Sequence, residues 1–377
     1  MADTTRYVDL SLSTGANDGT TAADAWRTFA DLEAAISAEV SALSAGDTYQ
    51  VWCKRSASAA SATTAWAYNE NPPLGVTVII EGYSSSTGDG LDTPGNWFQY
   101  GGQVNLTGDV QLRHFDVDTG TTTVDAALKI QYGHIYQCRG TTNSNAAGIY
   151  GREAVIEESI GVKEARSTTS QRLAIRLSRG AVINCVAEGG LCLESAFRTV
   201  SAWGNIVTPG PQTTAGDPLV LLDGSQDTSG LFFNGNTLYD ATGDAVQIDE
   251  GQDTTRKLGP IVISRNVVWG AGGYAFRNAG STYTDALVHC TGNFYGNCTS
   301  GEASGIATSM LSNTSLSADP FTDASSKDFS LNSTAGGGAT VRTGARGDLH
   351  SWGTDVQHLA GAWQRGEGGT SAQPSIH

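Results

Sequence analysis

The chain carries little charge for its length and is poor in basic residues. Of its 377 residues, 16% are Asp, Glu, Lys or Arg, and 22 basic against 38 acidic residues give a net charge of −16. With no basic stripe, neither nucleic acid nor an anionic membrane surface is an expected partner. No run approaches the roughly 20 apolar residues that cross a bilayer, so membrane insertion is not expected either. An acidic surface also repels polyanionic polymers at long range.

Metal-binding and secretion motifs are missing as well. The six cysteines show no CxxC spacing, so a zinc site is not expected. Cys138 and Cys185 occupy the same place in two segments that lie two repeats apart, which predicts small buried side chains rather than a disulfide. Cys290 and Cys298 are close enough to pair across one corner. The opening MADTTRYVDL lacks the apolar run and cleavage site of a secretory signal, which favours synthesis in a host cytoplasm.

What the chain has is repetition. Five asparagines recur in short apolar runs at intervals of 21 to 31 residues, and three upstream segments place other polar residues at the equivalent position. A strand-like repeat of roughly 20–30 residues, punctuated by Gly, Asn and Asp, predicts a solenoid. We expect one column of inward-facing amides that bond to the backbone of neighbouring coils. The full series is His114, Gln137, Glu158, Asn184, Asn205, Asn236, Asn266 and Asn293.

A second series of strands runs in phase with the first. Its apolar and polar residues alternate, as in strands with one face in a core and the other in solvent. Two or three such strands per turn predict an all-β, right-handed parallel β-helix, with a β-sandwich or a propeller as the alternatives. The strands are predicted at residues 128–131, 173–178, 191–195, 219–224, 245–249 and 274–278.

An amphipathic helix is predicted ahead of the repeats, over 27–44. Thr28 is its expected N-cap, with Asp31 three residues further on. Such a helix can cover the open first coil of a solenoid. The apolar stripe consists of Trp26, Phe29, Leu32, Ile36, Val40 and Leu43.

Three segments follow from these patterns. Residues 1–26 form an N-terminal extension and first strand, 27–347 form the capped β-helix, and 348–377 form a tail without repeats. One chain of this size can build a single continuous core. The integrin-type tripeptide Arg346-Gly347-Asp348 lies at the last boundary.

Both ends of the repeat region resemble a known superfamily. The segment YVDLSLSTGANDGTTAADAWRTFADLEAAI resembles the opening of pectate-lyase-like β-helix proteins, and ADPFTDASSKDFSLNSTAGGGATVRTGARG is similar to their closing segment. The resemblance covers roughly residues 6–347 and implies the same fold. It implies little about function, because members include lyases, hydrolases, epimerases, adhesins and phage spikes. The lyase motifs with paired Asp ligands and a catalytic Arg are not recognisable, so no catalytic residue carries over.

Acidic residues recur just past the strands of the second series. If coils stack at about 4.8 Å, Glu194, Asp223 and Asp249 form a carboxylate ladder with neighbours about 5 Å apart. Such separations suit the catalytic carboxylates of a glycosidase. They also suit a Ca²⁺ site, and Ca²⁺ is the one possible cofactor that the sequence indicates. The alternative is that these acids cap turns at corners. The whole column is predicted as Gln131, Ser178, Glu194, Asp223, Asp249 and Arg277.

One cluster of basic residues stands out against the acidic background. It can face a phosphate, a carboxylated glycan or the acidic surface of another subunit, or consist of solvated loop residues. The candidates are Arg152, Lys163, Arg166, Arg172, Arg176 and Arg179. Exposed aromatic residues could stack on sugars, or belong to the core. Those singled out are Tyr150, Trp203, Trp269 and Tyr295.

Together these features favour a non-catalytic virion-surface protein of a bacteriophage. We expect a homotrimer that serves as a capsid decoration or head-spike protein, or as a glycan-binding adhesin on a host surface glycan. Because the helix begins soon after Met1, no separate tail-attachment domain is expected, which favours binding to a capsid lattice. The alternative is an extracellular or tailspike-like depolymerase, either a polysaccharide lyase or a glycoside hydrolase, that uses Glu194, Asp223, Asp249 and Arg277.

Overall fold

Parallel strands dominate the computed structural model. One sheet contains 27 strands, and a second contains two. The structure describes residues 3–55, 66–69, 71–87, 97–120, 125–143, 146–163, 173–194, 199–210, 216–223, 230–249, 259–279 and 288–345.

The strands of the large sheet form three faces, which we call A, B and C in the order in which each coil passes through them. Face A contains β3 (Trp66–Tyr68), the first parts of β6 (Val104–Arg113), β8 (Ala126–Tyr136) and β10 (Ala147–Glu157), then β12 (Ile175–Leu177), β15 (Leu191–Glu194), β18 (Val220–Asp223), β21 (Val246–Asp249), β24 (Tyr274–Asn278) and β26 (Gly301–Ser304).

Face B is the longest. It contains β1 (Asp3–Val8), β2 (Thr48–Lys54), β4 (Thr77–Tyr83), the second parts of β6, β8 and β10, then β13 (Gly180–Ile183), β16 (Val200–Trp203), β19 (Leu231–Asn234), β22 (Ile261–Ser264), the first part of β25 (Val288–Cys298), and β27 (Leu311–Ser315).

Face C follows face B across a tight corner. It contains β5 (Phe98–Tyr100), β7 (Phe115–Asp118), β9 (Arg139–Thr142), β11 (Ile160–Lys163), β14 (Val186–Glu188), β17 (Ile206–Thr208), β20 (Thr237–Ala241), β23 (Val267–Ala271) and the second part of β25.

Within the described residues, the strand pairings of these faces are parallel and join equivalent strands of successive coils. Sandwiches and propellers are built from antiparallel strands, so both alternatives are wrong and the predicted parallel β-helix is confirmed. The inward positions of each face form one continuous apolar core. On face A, for example, Ile130, Leu177, Leu193, Leu222 and Ile248 occupy one inward column and are fully buried.

The helix predicted over 27–44 is present as α1 (Phe29–Ser41). Thr28 is its N-cap, and its hydroxyl and backbone N–H bond reciprocally with Asp31, as a capping box requires. The helix buries Phe29, Leu32, Ile36 and Val40 against the core, and the Phe29 ring stacks on Trp66 with centroids 4.0 Å apart.

The segment after β27 folds back along the outside of face C. Its antiparallel hairpin, β28 (Phe321–Asp323) and β29 (Asp328–Leu331), and helix α2 (Gly338–Ala345) bury Phe321, Phe329 and Val341. They do so in a cluster separate from the interior, which includes the outward-facing Ile206, Val267 and Phe294. An ion pair of 2.5 Å between Lys327 and Glu188 fixes the hairpin tip. Residues 346–377, with the Arg346-Gly347-Asp348 tripeptide, lie outside the described ranges.

The predicted column of eight is correct for four members and wrong for Asn184 and the three upstream positions. Asn205, Asn236, Asn266 and Asn293 are buried and share one ladder, which Asn313 extends. Their register partners on earlier coils are Cys185, Ser159 and Cys138, whereas Asn184 lies one residue upstream. Asn184 instead shares its column with His114, Gln137 and Glu158, and all four have positive φ, between +47° and +56°.

All six cysteines are free thiols, including Cys290 and Cys298, so the disulfide considered for that pair is not formed. Cys138 and Cys185 are fully buried, as predicted. Among the described residues, no helix is long and apolar enough to cross a membrane.

Candidate functional site

Faces A and B meet at a corner that β8 and β10 cross without a loop. Gly133 and Gly180 lie at this corner with φ of +115° and +109°, a region that residues with a Cβ rarely adopt. A Cβ at Gly133 would lie 2.1 Å from the Val110 carbonyl oxygen, and one at Gly180 would lie 2.0 Å from that of Ala154. The corner is therefore a notch whose floor is kept free of side chains.

An aromatic ring between two cations lies on the outer side of face A, next to this corner. Lys129, Tyr150 and Arg176 are register partners on three successive coils. The Arg176 guanidinium carbon lies 4.9 Å from the Tyr150 ring centroid, and Lys129 Nζ lies 5.9 Å from it. These distances fall within the range of cation–π attraction, so the ring is held in place from both sides.

Glu194 completes this group. Its Oε1 lies 2.5 Å from Arg176 Nη2, and its Oε2 accepts a hydrogen bond of 3.0 Å from Ser178 Oγ, which is also 3.3 Å from the Tyr150 hydroxyl. Burial by itself would lower the Arg176 pKa, but the hydrogen bond and negative charge of Glu194 outweigh burial and raise it. We call Lys129, Tyr150, Arg176, Ser178 and Glu194 the face A cluster.

The predicted acid ladder is partly correct in its geometry. Glu194, Asp223 and Asp249 are direct register partners on β15, β18 and β21. Arg277 was wrongly placed, because its register partner is Gln247 and it forms an ion pair with Asp244 at 3.2 Å. Within the described ranges, no three His, Cys, Asp or Glu side chains are grouped so that they could hold a metal ion. The catalytic and calcium roles of the ladder stay predictions.

The predicted basic cluster divides in two. Arg152, Arg176 and Arg179 lie close together on β10, β12 and the turn that follows β12. Lys163 is 3% exposed at the end of β11 on face C and is not part of this group. Arg166 and Arg172 fall outside the described residues.

The four aromatic candidates have different environments. Tyr150 belongs to the face A cluster, and Trp203 is 51% exposed on face B. Trp269 packs against the C-terminal cluster on face C, and Tyr295 packs against the interior core. Of these four residues, only Tyr150 and Trp203 remain available to a ligand.

The sequence interpretation missed Lys129, Tyr132 and Glu153. Strand alternation could have identified Lys129. It lies two residues upstream of Gln131, and side chains two residues apart point to the same face of a strand. Tyr132 and Glu153 are register partners at the corner, where alternation breaks, so no periodic pattern marks them.

Comparisons with known proteins add similarity of fold. No protein-family model matches the chain, and no curated protein matches it. Among solved structures, pectate lyase Pel9A is similar at a TM-score of 0.47 and 12% identity, over 89% of this chain and 90% of that one. The PL6 family alginate lyase AlyGC is similar at a TM-score of 0.30 and 10% identity, over 84% of this chain and 54% of that one. The fold assignment rests on the strand register, and neither activity is transferred to this chain.

Proposed function

We propose that this parallel β-helix is a glycan-binding protein whose binding surface is the face A cluster. The observation that carries the proposal is the Tyr150 ring, held between Lys129 and Arg176 and bordered by Ser178 and Glu194. Sugar hydroxyl groups bond to charged and hydroxyl side chains, and this cluster holds several of them at fixed positions around the Tyr150 ring, whose two sides are taken by Lys129 and Arg176.

A binding role fits the cluster better than catalysis. Each carboxylate oxygen of Glu194 already has a protein partner, one in Arg176 and one in Ser178. A catalytic acid or base must reach a proton on the substrate, which this arrangement hinders. We therefore propose that Glu194 positions Arg176 and Tyr150 rather than transferring protons.

Binding is tested by isothermal titration calorimetry with carboxylated oligogalacturonides and neutral chito-oligosaccharides. Tyr150→Ala should weaken binding at least tenfold, because Lys129 and Arg176 lose the ring that holds them in place. Trp203→Ala removes an exposed aromatic residue away from the cluster and should leave affinity unchanged. If both variants bind like the wild type, the face A cluster is not the site.

Catalysis has a separate readout on the same sugars. The proposal predicts no release of reducing or unsaturated ends by the wild-type protein. Release that is abolished in Asp223→Asn, with thermal stability retained, would replace the binding proposal with a lyase or glycoside hydrolase that uses Glu194, Asp223 and Asp249.

For the biological setting, we propose a homotrimeric phage virion-surface protein, a capsid decoration or head-spike protein before a tail adhesin, with α1 covering the first coil. The strongly acidic composition and the resemblance to a superfamily that includes phage spikes support this setting. Cryo-electron microscopy of the parent particle tests it. Density at the threefold positions of the capsid supports decoration, and density at the tail supports an adhesin. Protein found free in the medium and absent from every particle would rule out both.

A further inference from the structure

A cleft of about 560 Å³ lies at the corner between faces A and B. Gly133, Ala154 and Gly180, one from each of three successive coils, form its floor; Val155 lines it on face B, and Thr199, just before β16, lines it on the next coil. The cleft exists because the floor residues are small and, at Gly133 and Gly180, because a Cβ would collide with backbone.

A charged pair lines the cleft, and an exposed aromatic ring lies next to it as the register partner of a lining residue. Glu153 and Arg179, both lining residues, form an ion pair with side chains 22% and 18% exposed. Tyr132, the register partner of Glu153 on the previous coil, is 37% exposed, and its hydroxyl accepts a hydrogen bond of 3.1 Å from Gln131 Nε2. An aromatic ring beside paired charged groups repeats the chemistry of the face A cluster.

Arg152 connects the two places. It is exposed, lies on β10 between Tyr150 and Glu153, and has no ion-pair partner among the residues that the structure describes. An exposed guanidinium favours a carboxylate ligand at this point through a local charge-assisted pair, which must outweigh the long-range repulsion from the net charge of −16. At about 3.3 Å per strand residue, Tyr150 and Glu153 are about 10 Å apart along β10, which is roughly the length of a disaccharide.

We propose that the corner cleft is a second sugar subsite and that the ligand is a carboxylated oligosaccharide lying along β10, across the corner rather than up the stack of coils. One sugar lies against the face A cluster beside Tyr150, its carboxylate or that of the next sugar pairs with Arg152, and the chain continues into the cleft near Tyr132. Hydroxyl groups of the sugar there face the ion pair of Glu153 and Arg179. This inference rests on the proposed glycan-binding function and adds the ligand's charge, minimum length and direction.

Chain length separates the two subsites in a calorimetric titration with oligogalacturonides of two, four and six units. Tyr150→Ala should weaken binding at every length. Tyr132→Ala should weaken binding of the four- and six-unit sugars about tenfold and leave the two-unit sugar unchanged, because only the longer chains reach the cleft. Tyr132→Phe keeps the ring and should restore most of the lost affinity, and Trp203→Ala is the control with an exposed aromatic residue elsewhere.

Charge preference is tested with chito-oligosaccharides of the same lengths. The wild-type protein should bind the carboxylated series more tightly, and Arg152→Gln should remove that preference. If Tyr132→Ala matches the wild type at all lengths while Tyr150→Ala is impaired, the cleft is not a subsite, although the face A cluster still binds. If neutral and carboxylated sugars bind equally, the ligand is not acidic. If the wild-type protein binds neither series, this inference and the proposed function fail together.

Discussion

At the scale of single residues, asparagine has two different roles at the corner between faces B and C. One is to adopt a backbone conformation with positive φ, and the other is to form hydrogen bonds between coils. Asn184 occupies a backbone position with φ of +51°, whereas Asn236 occupies the next column and bonds across coils. In the ladder, each amide nitrogen donates both to the next amide oxygen and to a carbonyl of the preceding coil, so every buried polar atom finds a partner. The ladder ends where Asn313 donates to Glu302 at 2.9 Å.

The two columns predict different costs for the same substitution. Asn236→Ala should lower the free energy of unfolding by about 3 kcal/mol, because the Asn205 side chain and backbone N–H lose their acceptor and remain buried. Asn184→Ala should lower the free energy of unfolding by about 1 kcal/mol, because the only loss is that Ala tolerates the left-handed backbone region less well than Asn. Urea denaturation of both variants measures the difference, and equal costs would contradict this division of roles.

Thiol reactivity provides a second prediction at this scale. Burial raises the pKa of Cys138, Cys185 and Cys290 to about 12 and that of the less buried Cys298 to about 11. Because the thiolate is the reactive form, native protein at pH 8 should react slowly with iodoacetamide, and Cys298 should react first. Mass spectrometry of the alkylated peptides measures the order. Rapid reaction of Cys138 in native protein would contradict its position in the core.

Sequence reasoning identified the repeat and most of the ladder, but it could not separate the two columns. Asn is favoured both at positive φ and at buried corner positions, so Asn184 matched the series for the wrong physical reason. Arg277 was misplaced because Asn278, which is 8% exposed, takes the inward position that Ile248 holds on the coil before. A buried polar residue at an inward position shifts the apparent alternation, and composition does not reveal it.

At the scale of elements, the hairpin β28–β29 was the least predictable part. The outer side of face C carries the apolar residues Ile206, Val267 and Phe294. In the sequence such residues look like interior core residues, whether or not a second layer covers them. Apolar residues on both sides of these strands are the sequence signal for such a layer, as in sheets covered on both faces. The corner cleft was equally hidden, because it depends on the backbone conformation of Gly133 and Gly180.

Weakening the hairpin should uncover face C without unfolding the coils. Phe329 packs between Phe321 and Tyr239, with ring centroids 5.4 and 5.7 Å away, so Phe329→Ala should destabilise the hairpin by about 3–4 kcal/mol. We expect faster hydrogen exchange in β28 and β29, unchanged exchange in β21, and stronger binding of the dye ANS. Ser325→Ala at the exposed tip should leave all three unchanged. Equal acceleration in β21 would show that the hairpin and the coils unfold as one unit.

At the scale of the whole molecule, side-by-side association is the main prediction. We expect light scattering at micromolar concentration to give three times the chain mass of 39.2 kDa, because closed threefold symmetry buries outer strand faces that a monomer leaves in water. A stable monomer at that concentration would contradict the trimer.

Removing divalent cations with EDTA tests the predicted calcium role of the acid ladder, since a bound ion would raise the melting temperature measured before chelation.

The hairpin also restricts how this protein can change in length during evolution. Together with α2, it lies against the outer residues of five successive face C strands, from Glu188 on β14 to Phe294 on β25, and Lys327 of the hairpin pairs with Glu188 on the first of them. Duplicating one coil within that span would move the anchor about 4.8 Å from its partner, whereas a coil added between β8 and β10 would leave the distance unchanged. The hairpin therefore fits only one number of coils beneath it. We expect coils that are inserted during evolution to lie on the N-terminal side of β14.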